Sequence, residues 1–565
     1  MRSLDWIVLI SSLVFIVAYG LWKGRGSKDI DGYLLANRRL RWHTIALSIM
    51  ATQASAITFL STPGQAYVDG MRFVQFYFGL PIAMVILSIT AVPIYHKLKV
   101  FTAYEYLEGR FDLKTRGLAA LLFLIQRGLA AGLTIYAPAL ILSVILGWNI
   151  YITNLIIGSL VIIYTASGGT KAVSWTHFYQ MLIAMFGMFV AFFVILNLLP
   201  RDISLIDAAS VAGKMGRLNA IDFSFDLNNR YTIWSGILAG LFLQLSYFGT
   251  DQSQVQRYLT GRSITESRFG LLFNGLAKIP MQFFILFVGA MLFVFYQFEK
   301  PPIFFNSVER ERVENSAYAG EYAALQIEYD DAFEQKKVKL NELIAAMDSG
   351  SESDIAAAEQ NLDLADQKTR DVRANAIEIM QKNDPDMDPS DTNYVFLTFV
   401  TTFLPVGLVG LVIAAIFAAS MSSTSAELNA LASTTVVDIY RRTIKKEASD
   451  RHYLIAAKVF TVLWGVYAVF LAEYASRLGS LIEAVNILGS LFYGTILGIF
   501  LVAFYFKKVR GTATFFAAIV AEIIVLLFHF FELTSYMWYN VVGCLAVIFV
   551  SYIINQLLPD NKNSN

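Results

Sequence analysis

The sequence predicts an all-α protein that crosses a membrane many times, and three observations carry that prediction. Apolar runs near the roughly 20 residues that span a bilayer recur about thirteen times along the 565 residues. The composition agrees: 56% of residues are hydrophobic and only 16% charged, with a mean hydropathy of +0.54. Lysine and arginine cluster in alternate connections, the pattern of loops retained on the cytoplasmic side. The formal net charge is +0, so nothing in the overall balance points to nucleic acid. The single cysteine, Cys544, lies in an apolar run, which excludes intrachain disulfides and multi-cysteine metal sites.

In order, the runs lie at about 5–22, 43–62, 71–95, 117–146, 150–167, 176–199, 231–250, 270–297, 393–424, 452–474, 481–505, 512–531 and 537–557. The first, around Leu9–Leu21, has the look of a signal peptide. It lacks a clear small-residue cleavage site and runs at once into the basic stretch Lys23–Arg41, so it reads as a retained span. The basic connections follow at Lys97–Arg116, Arg257–Arg268, Arg441–Arg451 and Lys507–Arg510. With these inside, an odd number of spans puts the N-terminus outside and the C-terminus in the cytoplasm. Residues 299–391 are foreign to the pattern: polar, acidic and rich in helix formers. Gly350 with Ser351–Ser353 marks a break and a fresh N-cap, so a helical hairpin on the outer face is expected, with a solvated charged surface or a partner-docking role. The chain therefore divides into transmembrane helices over 1–298, the hairpin insertion over 299–391, further transmembrane helices over 392–558 and a cytoplasmic tail over 559–565.

The ninth run, within Gly407–Tyr440, is apolar until it meets Ser420, Ser422, Ser423, Thr424 and Ser425. Helical spacing puts Ala419, Ser422 and Ser423 on one face. Hydroxyls and loosened carbonyls there are hard neutral oxygens of the kind sodium takes, whereas soft metals want Cys, Met or His. Close helix packing explains the same small residues equally simply. In the second run, Ala51–Ser55 is small and polar at mid-membrane depth, and an interruption there frees carbonyls toward a cavity that Gln53, Ser55 and Thr58 would face. A tight helix crossing is the competing reading. The seventh run breaks correspondingly at Gly249–Asp251, five helices later. Paired interruptions in two halves point to an inverted repeat with a site at the midplane.

Two cations sit inside spans, Arg127 and Lys278. Each costs several kcal/mol unless it meets a partner or a wet cavity, so each is either a structural ion pair or a donor to a ligand. Pro280 would loosen the helix beside Lys278. The five histidines are scattered, and no phosphate-binding loop, GxSxG or HExxH occurs. Neither an ATP-driven pump nor a membrane enzyme has its machinery here.

Several segments together resemble the sodium/solute symporter family, which includes carriers of sugars, sialic acid, monocarboxylates, iodide and vitamins: DGYLLANRRLRW, TAYEYLEGRF, YAPAL, GGTKAVSWT, QSQVQRYL and SMSSTSAELNA with DIY. The resemblance covers nearly all of the chain outside 299–391 and implies a leucine-transporter-type core of five-plus-five inverted repeats with one extra N-terminal helix. It also implies a sodium site at Ala51, Ala54, Ala419, Ser422 and Ser423, including the face read from spacing. Tyr247 matches the inner gate, Lys278 a sugar-contacting lysine, and Arg127 lies about a turn from a carboxylate-holding position. Tyr77 and Asn486, beside Val485, match substrate positions but not with the residues of the galactose carrier. The family's Trp-Thr-Asp reads Trp175-Thr176-His177 here, and Ala426 replaces a further hydroxyl. A second-ion position at His177 and Ser425 therefore lacks its acid, while a histidine that titrates near neutrality keeps proton coupling open.

The resemblance thus implies a symporter in the cell's inner membrane, with sodium as its coupling ion and no other cofactor. Its partners would be the lipid bilayer and a small polar solute such as a sugar, sugar acid or monocarboxylate. The alternatives are a proton-coupled symporter of the same fold and a substrate-binding membrane sensor whose hairpin docks a partner.

Overall fold

The computed structural model describes residues 1–24, 29–475 and 480–558; Arg25, Lys28 and the expected tail 559–565 lie outside them. Among the described residues, ten helical stretches are long and apolar enough to cross a membrane. Two of them, Ala56–Leu98 and Ile150–Leu198, hold two crossings each, and the shorter Ser235–Gly249 begins another, which accounts for the expected thirteen. In chain order the principal helices are α1 (Ser3–Gly24), α2 (Trp42–Gln53), α3 (Ala56–Asp69), α4 (Leu80–Ile89), α5 (Ala91–Leu98), α6 (Leu113–Leu146) and α7 (Ile150–Leu198). Next come α8 (Gly240–Gly249), α9 (Gln252–Leu259), α10 (Ile264–Phe298), α11 (Ala319–Ser349), α12 (Glu352–Asn383) and α13 (Leu408–Thr434). The last four are α14 (Asp450–Ala472), α15 (Leu481–Tyr505), α16 (Gly511–Phe530) and α17 (Tyr539–Leu557).

α7 shows why one apolar helix becomes two. Its 49 residues would extend about 74 Å, more than twice a bilayer's hydrocarbon thickness. Gly169 breaks it with φ 59° and ψ −174°, a conformation open to glycine because it has no Cβ. The chain then doubles back, so that the Tyr164 hydroxyl meets Thr176 Oγ1. In a straight helix those residues would stand about 18 Å apart.

The two expected interruptions are present. α2 ends at Gln53, Ala54 leaves helical geometry at ψ 78° and Ser55 is extended at ψ 176° before α3 begins. α8 ends at Gly249, and Asp251 (ψ 117°) caps α9 by accepting from Ser253 N at 2.8 Å.

The run expected at 393–424 is divided. Thr392–Phe403 is a separate helix, and α13 starts afresh at Leu408 after Pro405 and a left-handed Gly407 (φ 89°). Asp5 Oδ1 accepts from Gly407 N at 2.5 Å and Gly410 N at 3.3 Å, capping α13 from the N-terminal helix. α10 runs on as a helix through Pro280, so the expected loosening is limited to the hydrogen bond the proline cannot make.

Residues 319–383 form the expected hairpin, with Gly350 left-handed between α11 and α12. It is more than a solvated surface. Buried positions recur at Tyr329, Phe333, Lys336, Leu340 and Leu343 on α11, three or four residues apart, and face a matching row on α12. Lys336 and Asp366 meet inside that seam at 3.5 Å. Two residues counted as loop cations are also buried. Arg257 is 0% exposed on α9, and Arg116 is 1% exposed. Arg116 Nε donates to Asp438 Oδ1 at 2.8 Å, tying α6 to the helical continuation of α13 over Thr435–Ile444.

Candidate functional site

The first helix break opens onto a cavity of about 680 Å³, open solvent included, whose wall also takes in α8 just before the second break. Gln53, Ser55 and Thr58 reach it from the first break, and Gln244 and Tyr247 from α8, before the second. Tyr77, Arg127, Glu427, Asn486 and Tyr493 line it as well, with Phe76 and Gln126. The residues expected to meet a substrate are thereby brought together, with one exception. Lys278 does not line the cavity; its ammonium is fully buried, has no hydrogen-bond partner among the described residues and lies 5.3 Å from the centre of the Tyr77 ring.

Arg127 reaches the cavity but is already engaged. Its Nη1 donates to Glu427 Oε1 at 3.0 Å, and its Nη2 to Tyr493 Oη at 2.6 Å and to Asp251 Oδ2. The structural ion pair, one of the two readings of this residue, is therefore present. Tyr247 lies with its ring 5.5 Å from the guanidinium, and its hydroxyl accepts from Gln254 at 2.7 Å.

Beside the cavity, Ala51, Ala54, Ala419 and Ser422 surround a void too tight to hold a water molecule. Ser422 Oγ lies 2.9 Å from the Ala51 carbonyl and 2.7 Å from the Ala419 carbonyl, with geometry to donate to either. Three oxygens from two helices thus gather at one point, all neutral and hard, the donor set that suits sodium. Ser423 faces the larger cavity, and its Oγ is 3.2 Å from the same Ala419 carbonyl. Ser423 thus links the larger cavity to the carbonyl that borders the tight void.

His177 and Ser425 also converge, on the carbonyl of Ser422. His177 Nε2 lies 3.0 Å from that oxygen and Ser425 Oγ donates to it at 3.0 Å. His177 Nδ1 is 3.0 Å from Ser48 Oγ. A neutral ring that donates from Nε2 and accepts at Nδ1 satisfies both contacts.

Sequence reasoning missed three residues. Gln180, 1% exposed, lines the tight void with both side-chain polar atoms unpartnered. Asp251 and Glu427 hold Arg127. Glu427 stands four residues after Ser423 on α13, a spacing that puts it on the same face and was the available signal. Gln180 carries no such mark in the sequence.

A family model described as the sodium:solute symporter family matches residues 33–318 and 386–521. The interval it skips contains α11 and α12. The chain is 26% identical to the sodium/sialic acid symporter SiaT of Proteus mirabilis over 567 residues, covering 99% of this chain and 96% of that one. It is 31% identical to the human sodium/iodide cotransporter over 299 residues, 52% of this chain but only 45% of the cotransporter. Among solved structures, a Na+-coupled sialic acid symporter in its substrate-bound outward-open state matches with a TM-score of 0.75 at 23% identity, over 99% of this chain and 98% of that one. That likeness is one of fold: the leucine-transporter-type inverted-repeat core that the family resemblance implied.

Proposed function

The chain belongs to the sodium:solute symporter family, and from that premise we propose that it imports a small polar organic solute across the cell's inner membrane, driven by sodium moving down its gradient. The observation that carries the reading is the contact of Ser422 Oγ with the Ala51 carbonyl at 2.9 Å, which joins the broken helix to α13. Sodium there would be held by the carbonyls of Ala51, Ala54 and Ala419 with the hydroxyls of Ser422 and Ser423. A state in which α2 and α13 move apart separates the two ligands of the broken helix from the three of α13. Sodium would therefore bind one state more tightly, and that difference in affinity is what lets an ion bias a conformational equilibrium.

The solute would lie in the cavity against Gln53, Ser55, Thr58, Tyr77 and Asn486, with Tyr247 closing the inner side. The sodium coupling named for the similar sialic acid symporters supports sodium over a proton carried at His177. The basic loops would face the cytoplasm, and the N-terminus and the α11–α12 hairpin the outside.

The test needs no identified solute. A ligand that binds only the folded state raises its stability by about 2.7 kcal/mol at 100 times its Kd, which for a chain of this length is a shift of about 2 °C in Tm. The purified protein should melt higher in sodium than in potassium. Ser422→Ala or Ser423→Ala should abolish the difference while leaving the melting temperature in potassium close to that of the wild type. Equal melting in both salts would remove the reading.

A further inference from the structure

The deepest feature of the cavity is its charge. Arg127, Glu427 and Asp251 are 3%, 4% and 2% exposed. Among the described residues every hydrogen bond Arg127 makes goes to Glu427, Asp251 or Tyr493, with Nε alone left unpartnered, and Glu427's other oxygen accepts from Thr134 at 2.9 Å. One guanidinium thus faces two carboxylates, so the cluster has a carboxylate in excess and no free positive charge. Lys278 is separate, with the Tyr77 ring beside its ammonium and no place in the cavity wall.

The uncharged groups of the wall are in the opposite condition. Gln53 Oε1, Gln126 Oε1, both polar atoms of Gln244, and Asn486 Nδ2 are buried without a hydrogen-bond partner. Each such group is costly to bury unless a ligand or water meets it. A carboxylate accepts hydrogen bonds but donates none, whereas a hydroxyl does both and can satisfy either end of a carboxamide. An anion here would also stand beside Glu427, and like charges brought together out of water cost several kcal/mol. The aromatic faces of Phe76, Tyr77 and Tyr247 in the same wall offer flat apolar surface for the carbon face of a ring.

From the committed arginine and the unpartnered amides we infer that the solute is uncharged and rich in hydroxyls, a sugar or polyol, and that the cavity rejects small anions. Iodide and sialic acid, named for two of the proteins this chain resembles, are both anions, so the inference separates this chain from them. It rests on the cavity being the transport site proposed above.

The charge can be read without knowing the solute. Cys544 is fully buried, so in Asn486→Cys the introduced thiol is the accessible one; Ser55→Cys, in the same wall, serves if the first variant does not fold. Its rates with aminoethyl, hydroxyethyl and sulfonatoethyl methanethiosulfonate, each normalised to a free thiol in solution, report the local potential. The cationic reagent should outpace the anionic one by about tenfold, and Glu427→Gln in the same background should shrink that ratio. An anionic reagent that reacts as fast as the cationic one overturns the inference.

The second arm measures protection from the neutral reagent, in sodium, by glucose, galactose, mannitol and myo-inositol and by lactate, N-acetylneuraminate and iodide. At least one sugar or polyol should slow the reaction at least severalfold, and none of the anions should. Protection by an anion, or by no sugar or polyol at all, also overturns it. If an anion protects and Lys278→Met removes the effect, that lysine is the counter-ion and the charge argument falls. Failure of the sodium-dependent melting shift would instead remove the symporter reading and leave the measured cavity potential standing.

Discussion

Ser422 is where sequence periodicity and three-dimensional contact agree most closely. Its position three residues after Ala419 puts both on one helix face, and its hydroxyl lies within hydrogen-bond reach of carbonyls on two helices. Local spacing suffices to read half of such a site, because helical residues three and four apart are neighbours whatever the tertiary fold. The neighbour that α7 supplies is different. Gln180 stands out through the absence of partners for its amide beside that cluster, a property created by packing and invisible in the string of residues. An orphaned carboxamide next to gathered oxygens is placed to help hold the ion. Gln180→Leu, close in size, should therefore raise the sodium concentration for half-maximal thermal stabilisation by about tenfold, the scale on which groups around a metal's direct ligands act. Sodium titrations of Tm for the two proteins decide it; coincident curves would assign Gln180 to packing alone. Lys278 and Arg127 mark the same limit from the other side. The sequence places both at membrane depth, but which one faces the cavity depends on Tyr77 and Asp251, brought in by other helices.

At the scale of elements, the legible features were those written in backbone chemistry. Small polar residues at Ala51–Ser55 and Gly249–Asp251 mark helix breaks, and both breaks are there. The division of the 393–424 run was equally written, in Pro405 and Gly407, but hydropathy averages over such signals. Gly169 gives the sharpest test of an element. A Cβ there would lie 2.8 Å from the Tyr33 carbonyl oxygen and 2.6 Å from Tyr33 Cδ2, on a backbone that already costs a non-glycine residue about 1–3 kcal/mol. Gly169→Ala should lower Tm by about 2 °C or more, and Gly169→Val should fail to accumulate as folded protein. If Gly169→Ala melts like the wild type, the doubled-back α7 is wrong. The hairpin offers a second test, since burial pulls the Lys336 ammonium below the usual lysine range while Asp366 pulls it back. Removing one member of a buried pair strands the other's charge. Asp366→Ala should therefore open the hairpin to protease at its Gly350 turn, and Lys336→Met with Asp366→Leu should restore protection.

For the molecule as a whole, the alternation of basic connections becomes a statement about which loops touch. Arg38 donates to the Val100 carbonyl at 2.9 Å, Arg442 pairs with Glu108 at 3.1 Å, and Arg110 donates to the Phe506 carbonyl at 3.0 Å. Leu40 N donates to the Thr260 carbonyl at 3.0 Å. The basic connections thus meet on one face. The opposite face gathers Asp5 with Gly407, and Lys214 with Glu359 of the hairpin at 2.5 Å. Charge spacing alone foretold this grouping because the positive-inside bias acts on each short loop independently, whereas the hairpin's docking onto that face needed the folded chain. Which face meets the cytoplasm is a matter for labelling. Ser353 and Lys446 are both exposed, one on the hairpin and one on the basic face, and the sole native thiol, Cys544, is buried. In intact cells a membrane-impermeant maleimide should label Ser353→Cys and leave Lys446→Cys unmodified until the membrane is opened. The reverse pattern would invert the chain in the membrane. The sodium cluster would survive that inversion, but the assignment of Tyr247 as an inner gate would not, because the side it closes is defined by the same two faces.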